Sequence, residues 1–307
     1  MASPLAPTYG VAFVTFFLAT ILYGMGLTQG YLYFHWYPKN QPVIKTIVVC
    51  LLIFETMQIV LYFDGLYLNL IDNFGNPIAV DTIFWQDSAQ LLFGYLSAFL
   101  VQMYFSYCIY ILNPKNKFIS AVIILLGLTS LGTAIAQTVR TVQIGQFSLL
   151  DEIKPIIIAQ SASTLACDIV ITTALIYTLR GKRSSIESSN SIIATLMINA
   201  VNRGALVALC AALNMILFLA KPGTFYFFLG LIPSGKLYMN SMLATLNTRL
   251  HLRSRGKNSQ GVYSLDAISG ESSQNRSLRP NHVFPNPGVI MLHTTTETDS
   301  KVVDGMR

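Results

Sequence analysis

Residues 43–71 read VIKTIVVCLLIFETMQIVLYFDGLYLNLI. Between Ile47 and Phe63 this run has one charged side chain, Glu55. The hydrocarbon core of a bilayer, about 30 Å thick, takes roughly 20 residues of helix at 1.5 Å per residue. The run is long enough to span it. Six further apolar runs have the same character, at about 10–34, 86–111, 118–138, 156–179, 191–220 and 224–247. The expectation is an all-α membrane protein: a seven-transmembrane helix bundle over residues 1–250, followed by a disordered cytosolic tail over 251–307.

Composition agrees. Over 307 residues, 53% are hydrophobic and only 11% charged, and the mean hydropathy is +0.53. A water-soluble domain with so few charges could not cover its surface. Cys50, Cys108, Cys167 and Cys210 all fall inside apolar runs, so neither a loop disulfide nor CxxC chemistry is expected. His35, His251, His282 and His293 lie outside the spans, which leaves no intramembrane histidine metal site. Met1–Gly10 has no basic residue ahead of the first apolar run, unlike a cleavable signal peptide.

Lysine and arginine set the orientation. The first, third and fifth loops and their borders hold Lys39, Lys45, Lys115, Lys117, Arg180, Lys182 and Arg183. The N-terminus and the even loops hold only Arg140, Lys154 and Lys221. The positive-inside rule then places the N-terminus outside and the C-terminus in the cytosol. Tyr and Trp gather near span ends (Tyr31, Trp36, Tyr37, Trp85, Tyr107), as interfacial anchors do. Lys221-Pro222-Gly223-Thr224 is a tight turn that makes the last two spans antiparallel neighbours. No repeat relates the first three spans to the last three, which counts against transporter folds built on repeated halves. From about Ser254 the chain turns rich in Ser, Thr, Asn, Pro and Gly without periodicity, a composition too poor in apolar area to offset ordering entropy.

Four charged side chains sit near mid-depth: Glu55, Asp168, Arg203 and Lys236. Each costs roughly 2.5–3.5 kcal/mol at a helix centre on the insertion scale, so each must face protein or water. Counted from the outer span ends at 1.5 Å per residue, Asp168 and Lys236 lie about 18 Å deep, Glu55 and Arg203 about 24–26 Å. Two acids face two bases, but depth does not choose the partners.

These charges lie on polar stripes at helical spacing. The stripes are Asn199, Arg203, Cys210 and Asn214; Lys236, Asn240 and Asn247; Ser161, Thr164, Asp168 and Thr172; Glu55, Gln58 and Tyr62; and Asp87, Gln90, Gly94 and Ser97. Five spans therefore turn polar faces to a common interior. One reading is a hydrogen-bonded and ion-paired network that fixes packing. The other is a solvated cavity for a ligand, ion or proton path. Glu55, Asp168, Asn199, Arg203, Lys236 and Asn240 are the candidate intramembrane polar site.

Other motifs are set aside. Residues 230–236, GLIPSGK, match the start of a phosphate-binding loop, but Leu237 stands where Ser or Thr must hold Mg²⁺ and no strand precedes. Lys236 in the seventh span suits a retinal Schiff base, yet the third span lacks the Arg/Asp pattern of microbial rhodopsins. Asp64, Asp72, Asp81 and Asp87 gather at the outer ends of the second and third spans, as solvated loop carboxylates commonly do. Ser130 and Ala134 have small-xxx-small spacing suited to close packing.

Three features together resemble a fungal integral-membrane family of mushroom-forming basidiomycetes that carries only a "domain of unknown function" label. They are Tyr31-Leu-Tyr-Phe closing the first span, Gln86-Asp87 opening the third, and Lys236-Leu-Tyr-Met-Asn-Ser-Met-Leu-Ala-Thr-Leu-Asn-Thr-Arg249, similar to that family's C-terminal signature. The resemblance covers about residues 10–250 and implies a seven-helix fungal membrane protein without an assigned activity. The topology is also that of G-protein-coupled receptors. However, the third span ends Tyr107-Cys-Ile-Tyr110 without Asp-Arg-Tyr, the seventh has no Asn-Pro-x-x-Tyr, and the outer disulfide is missing.

The sequence thus leads to a receptor-like or sensory protein with an internal polar pocket, in the plasma membrane, with a small-solute or proton-coupled transporter as the alternative. No nucleophile–base pair or metal signature points to an enzyme. The expected partners are the lipid bilayer, a small-molecule ligand, and a cytosolic partner at loops three and five and the tail. No cofactor and no nucleic acid are expected.

Overall fold

The computed structural model describes residues 6–38, 41–114, 117–180 and 187–256, with backbone alone for helical residues 77, 80, 187–197, 199, 200 and 249–256. All of these belong to one compact unit, Met1–Glu271. The first residues of the expected disordered tail, 251–256, are instead helical, and from Lys257 onward it lies outside the described residues. The described chain is helical: α1 Val11–Trp36, α2 Pro42–Tyr67, a one-turn α3 Pro77–Asp81, α4 Trp85–Leu112, α5 Lys117–Ile144, α6 Lys154–Arg180, α7 Glu187–Ala220 and α8 Phe228–Gly256. Wider helical turns lead into α1 (Ala6–Gly10) and continue α2 (Leu68–Asp72), and tight turns precede α6 (Phe147–Ile153).

Six stretches are long and apolar enough to cross a membrane: Ala6–Trp36, Pro42–Asp72, Trp85–Leu112, Lys117–Ile144, Phe147–Arg180 and Val201–Ala220. This is the pattern of a multi-pass membrane protein. The seventh expected span, 224–247, forms a helix but is not among those six among the described residues. Its bounds also differ. The segment Lys221–Phe227 is spent on turns, with Gly223 at φ +72°, so α8 starts at Phe228. It then runs to Gly256, because a helix can continue into polar sequence where a count of apolar residues stops.

The position of α8 explains its polarity. It packs against α1, α2, α4 and α7, and no residue from Phe228 to Thr248 is exposed. The large exposed apolar side chains belong to the surrounding helices, for example Phe13, Phe17, Ile53, Phe118, Leu125 and Tyr177. Apolarity is demanded of surfaces that touch lipid. A central helix escapes that demand if its polar groups find partners.

The interior is layered. At the end carrying the second, fourth and sixth loops, Tyr9, Ala12, Ile59, Tyr62, Leu66, Phe225, Phe228 and Ile232 form one apolar cluster. Toward the opposite end, Val48, Leu51, Tyr104, Phe105, Ile171, Met239, Met242 and Leu246 belong to a larger one. Glu55 and Lys236 fall between: Glu55 follows Leu51 and precedes Ile59, and Lys236 follows Ile232 and precedes Met239. Asp168 and Arg203 are instead set against Phe105 and Tyr238 of the larger cluster.

The loops of the first end are knitted together. Asp81 accepts hydrogen bonds from the Ser148 amide at 2.8 Å and the Ser148 hydroxyl at 2.6 Å. The Ile83 amide donates to the Gly145 carbonyl at 2.8 Å, and the Phe225 amide to the Pro7 carbonyl at 3.0 Å. The one-turn helix α3, absent from the sequence expectation, is capped by Asn76, whose side chain accepts from the Ile78 amide at 3.1 Å. Asp64, Asp81 and Asp87 among the outer acids serve structure. Asp87 accepts from the Phe84 amide at 3.0 Å and so closes the first turn of α4, and Asp64 accepts from Gln86 at 2.8 Å.

Candidate functional site

Glu55 on α2 and Lys236 on α8 are both fully buried, and the ammonium donates to the carboxylate at 2.6 Å. Lys236 also donates to Gln58 Oε1 at 2.5 Å. An ammonium has only donors, so it fixes the orientation of the Gln58 amide. Its carbonyl faces Lys236, and its NH₂ group points to the surface that Gly94 of α4 leaves open; a Cβ there would stand 2.6 Å from Nε2. Gly235 makes similar room on α8, where a Cβ would lie 3.2 Å from Glu55 Oε1. That oxygen is buried without a hydrogen-bond partner.

The second pair lies between α6 and α7. Arg203 donates through Nη2 to Asp168 Oδ1 at 3.1 Å, and both side chains are almost completely buried. The Tyr238 hydroxyl of α8 donates to the other carboxylate oxygen, Oδ2. The guanidinium lies over the Phe105 ring of α4, 4.1 Å from its centroid, and 5.7 Å from that of Tyr238. Ring faces supply the electron density that its unbonded Nε and Nη1 lack. Two closed charge pairs thus tie α2 to α8 and α6 to α7, with Tyr238 linking the second pair to α8.

Between these pairs and the loops run three adjoining cavities. The innermost, about 60 Å³, is bounded by Gln58, Gly94, Ser161, Asn214, Ser234 and Tyr238 among others. A second, about 40 Å³, shares Tyr95, Gln160, Ser161, Asn214 and Leu231 with the first. The third, about 220 Å³, shares Phe147, Leu150, Phe218 and Phe227 with the second and lies among the loops, walled also by Asp81, Ser148 and Lys221. The series leads from the loop end to mid-depth and reaches Gln58 and Tyr238, the side chains that contact the two ion pairs.

Of the expected site residues, Glu55, Asp168, Arg203 and Lys236 are brought together in pairs around α8. Asn240 is not part of the cavity wall. Its amide donates to the Leu22 and Lys236 carbonyls at 2.9 and 2.7 Å and its carbonyl accepts from Gln29 at 3.1 Å, which fastens α8 to α1. Asn199 is on the backbone of α7, and its side chain lies outside the described residues. Gln58, Gly94, Ser161, Thr164 and Asn214, all on the expected polar stripes, do line the inner cavity. Sequence reasoning missed Tyr238, Phe105, Gln160 and Ser234. Tyr238 was open to discovery, because a tyrosine deep in a helix core needs a partner for its hydroxyl.

Residues 164–251 match a family of unknown function (DUF6534). No curated protein and no solved structure matches the chain. The matched segment covers α6 from Thr164, all of α7 and most of α8. It therefore contains Asp168, Arg203, Lys236 and Tyr238, three of the four buried charges and the hydroxyl that joins two of the helices.

Proposed function

We propose that the chain is a receptor-like or sensory membrane protein whose ligand enters from the N-terminal side and stops at mid-depth, against Gln58 and Tyr238. One observation carries this reading: the cavities form a series from the loop end to the ion-pair layer, and a packed apolar cluster fills the interior beyond that layer. A one-sided pocket ending on a polar network suits a sensor, since ligand contacts at Gln58 or Tyr238 act on the pairs behind them. In this reading α8 is the seventh span, the N-terminus is outside and the C-terminus cytosolic, in the plasma membrane. A cytosolic partner then docks at the third and fifth loops and the tail. No catalytic role is assigned to any residue.

A second reading, transport of a small or proton-coupled solute, is favoured by the buried Lys236–Glu55 pair adjoining the cavity, because intramembrane carboxylates and amines often carry coupling ions. The test is Ser161→Cys, compared with the parent chain and its four native cysteines. In sealed vesicles of known orientation, a membrane-impermeant thiol reagent should label Ser161→Cys from the N-terminal side alone. Labelling from both sides, or saturable solute flux in proteoliposomes, would favour the transporter and defeat the one-sided pocket.

A further inference from the structure

The walls of the inner cavities point to a ligand class, and we infer that the pocket takes a small uncharged molecule carrying several hydroxyl or amide groups. This rests on reading the cavity series as a ligand pocket. The polar side chains bounding the innermost cavity are Gln58, Tyr95, Asn214, Ser234 and Tyr238, together with a Ser/Thr/Gln group on α5 and α6. None carries a charge. The four charged side chains stand one layer behind, and each is already matched: Lys236 by Glu55 and Gln58, Asp168 by Arg203 and Tyr238. An ion entering the innermost cavity finds no counter-charge, and Asp87, a carboxylate on the wall of the second, is engaged by the Phe84 amide at 3.0 Å. Leaving water without a free counter-charge costs more than neutral contacts return.

What the wall offers is neutral and two-sided. The Gln58 NH₂ group is held toward the cavity by Lys236 and is a donor. Tyr238 and Ser234 spend their protons on Asp168 and on the Leu231 carbonyl, the latter at 2.6 Å, and so present lone pairs. Asn214 is 9% exposed, lines both inner cavities, and its side chain has no hydrogen-bond partner among the described residues. It offers a donor and an acceptor at the seam between the cavities. In the second cavity, Gln137 Oε1 is a further buried acceptor without a partner. By contrast, Ser130, Gln160 and Thr164 bond mainly one another, at 2.6 and 3.0 Å, and form a closed patch. Donors and acceptors interspersed at short range suit groups that both give and take hydrogen bonds, which hydroxyls and amides do and ammonium or carboxylate groups do not.

Size narrows the class. At roughly 10–15 Å³ of such volume per water-sized position, the 60 Å³ cavity holds about four to six positions, and the 40 Å³ cavity adds a few. A molecule between urea and erythritol fits without rearrangement.

The experiment is equilibrium binding of radiolabelled erythritol and urea to the full-length protein in lipid nanodiscs, with lactate and ethanolamine as charged comparators of similar size. Saturable binding of the neutral pair in mutual competition is expected, with no displacement by either ion. Asn214→Leu should weaken binding by roughly tenfold, the equivalent of one or two lost hydrogen bonds, and Asn214→Ser by less. Wild-type competition needs no variant, so a misfolded substitution leaves the test intact. Tighter binding of an ion, no saturable neutral binding, or neutral binding untouched by Asn214→Leu would each overturn the ligand class. If one-sided labelling of Ser161→Cys persists in those cases, the pocket stands and only its ligand is wrong; if labelling is lost, the pocket reading itself has failed.

Discussion

Lys236 holds three relationships at once: to Glu55, to Gln58, and through Gln58 to the cavity wall. Lys236→Met removes the cation that pairs with Glu55 and leaves a buried carboxylate uncompensated. The expected loss is about 3–5 kcal/mol of stability, read as an early thermal unfolding transition in micelles. Glu55→Leu in the same chain should recover most of it, since an apolar replacement of a buried pair is often tolerated. An unchanged Lys236→Met would mean that the pair contributes nothing to folding. At Arg203 the expectation is graded. Arg203→Lys keeps the charge for Asp168 but loses the flat guanidinium over Phe105, so it should fall between wild type and Arg203→Leu in the same measurement. All four charges are legible in the sequence, because a charge inside an apolar run has a cost that demands a reason. Their pairing is not. Depth groups Asp168 with Lys236 and Glu55 with Arg203, and the structure pairs across that grouping. Lateral neighbours decide it: α8 lies on α2 and α6 lies on α7, and long lysine and arginine stems reach along the axis to the acid that is beside them.

Among the elements, α7 and α8 approach each other backbone to backbone at Gly230. Gly230 lies where a Cβ would meet the Cys210 carbonyl and, at 2.5 Å, the Asn214 amide nitrogen. Backbone atoms cannot rotate aside, so Gly230→Ala must push the two helices apart. The expected cost is about 1–3 kcal/mol, in the range of other overpacked sites. Gly24→Ala is the control, with nothing within 4 Å of its Cβ, and should be neutral or slightly stabilising in the same thermal assay. Asn214 sits on this contact too, so Gly230→Ala should also disturb the inner cavity. The helices with exposed apolar faces were legible to within a few residues, because the bilayer imposes both length and apolarity on them. The exception is α5, which runs to Ile144 where the apolar count stopped at 138. Two elements were less so. Asn76-Pro77 carries the cap and first-turn proline of α3, but five residues are too few for periodicity to register. The start of α8 was misplaced because Thr224–Phe227 is aromatic and reads as span, whereas those residues turn at Gly223 and pack beneath the loops.

For the whole molecule, the central question is how a helix as polar as α8 reaches the middle of the bundle. Lys236 alone costs roughly 2.5–3.5 kcal/mol at a helix centre, and Asn240 and Asn247 add to it. The surrounding helices supply what lipid cannot: Glu55 and Gln58 for the ammonium, and Gln29 and the Leu22 and Gln29 carbonyls for the two asparagines. If α8 is the seventh span, its crossing depends on those partners, and the side on which the tail emerges reports it. Asn275-Arg276-Ser277 is a glycosylation sequon in that tail. With seven spans and the N-terminus outside, Asn275 stays in the cytosol and unmodified, while a sequon engineered into the fourth loop with adequate spacing is used. In Glu55→Leu the lysine has no counter-charge, and a fraction of chains should leave α8 uncrossed, carry the tail to the N-terminal side and acquire a glycan at Asn275. Lys236→Leu on the Glu55→Leu background removes the cost at its source, and glycosylation at Asn275 should vanish again. A glycan on Asn275 of the wild-type chain would reverse the orientation or reduce the count to six. An unmodified Asn275 in Glu55→Leu would show that α8 crosses unaided.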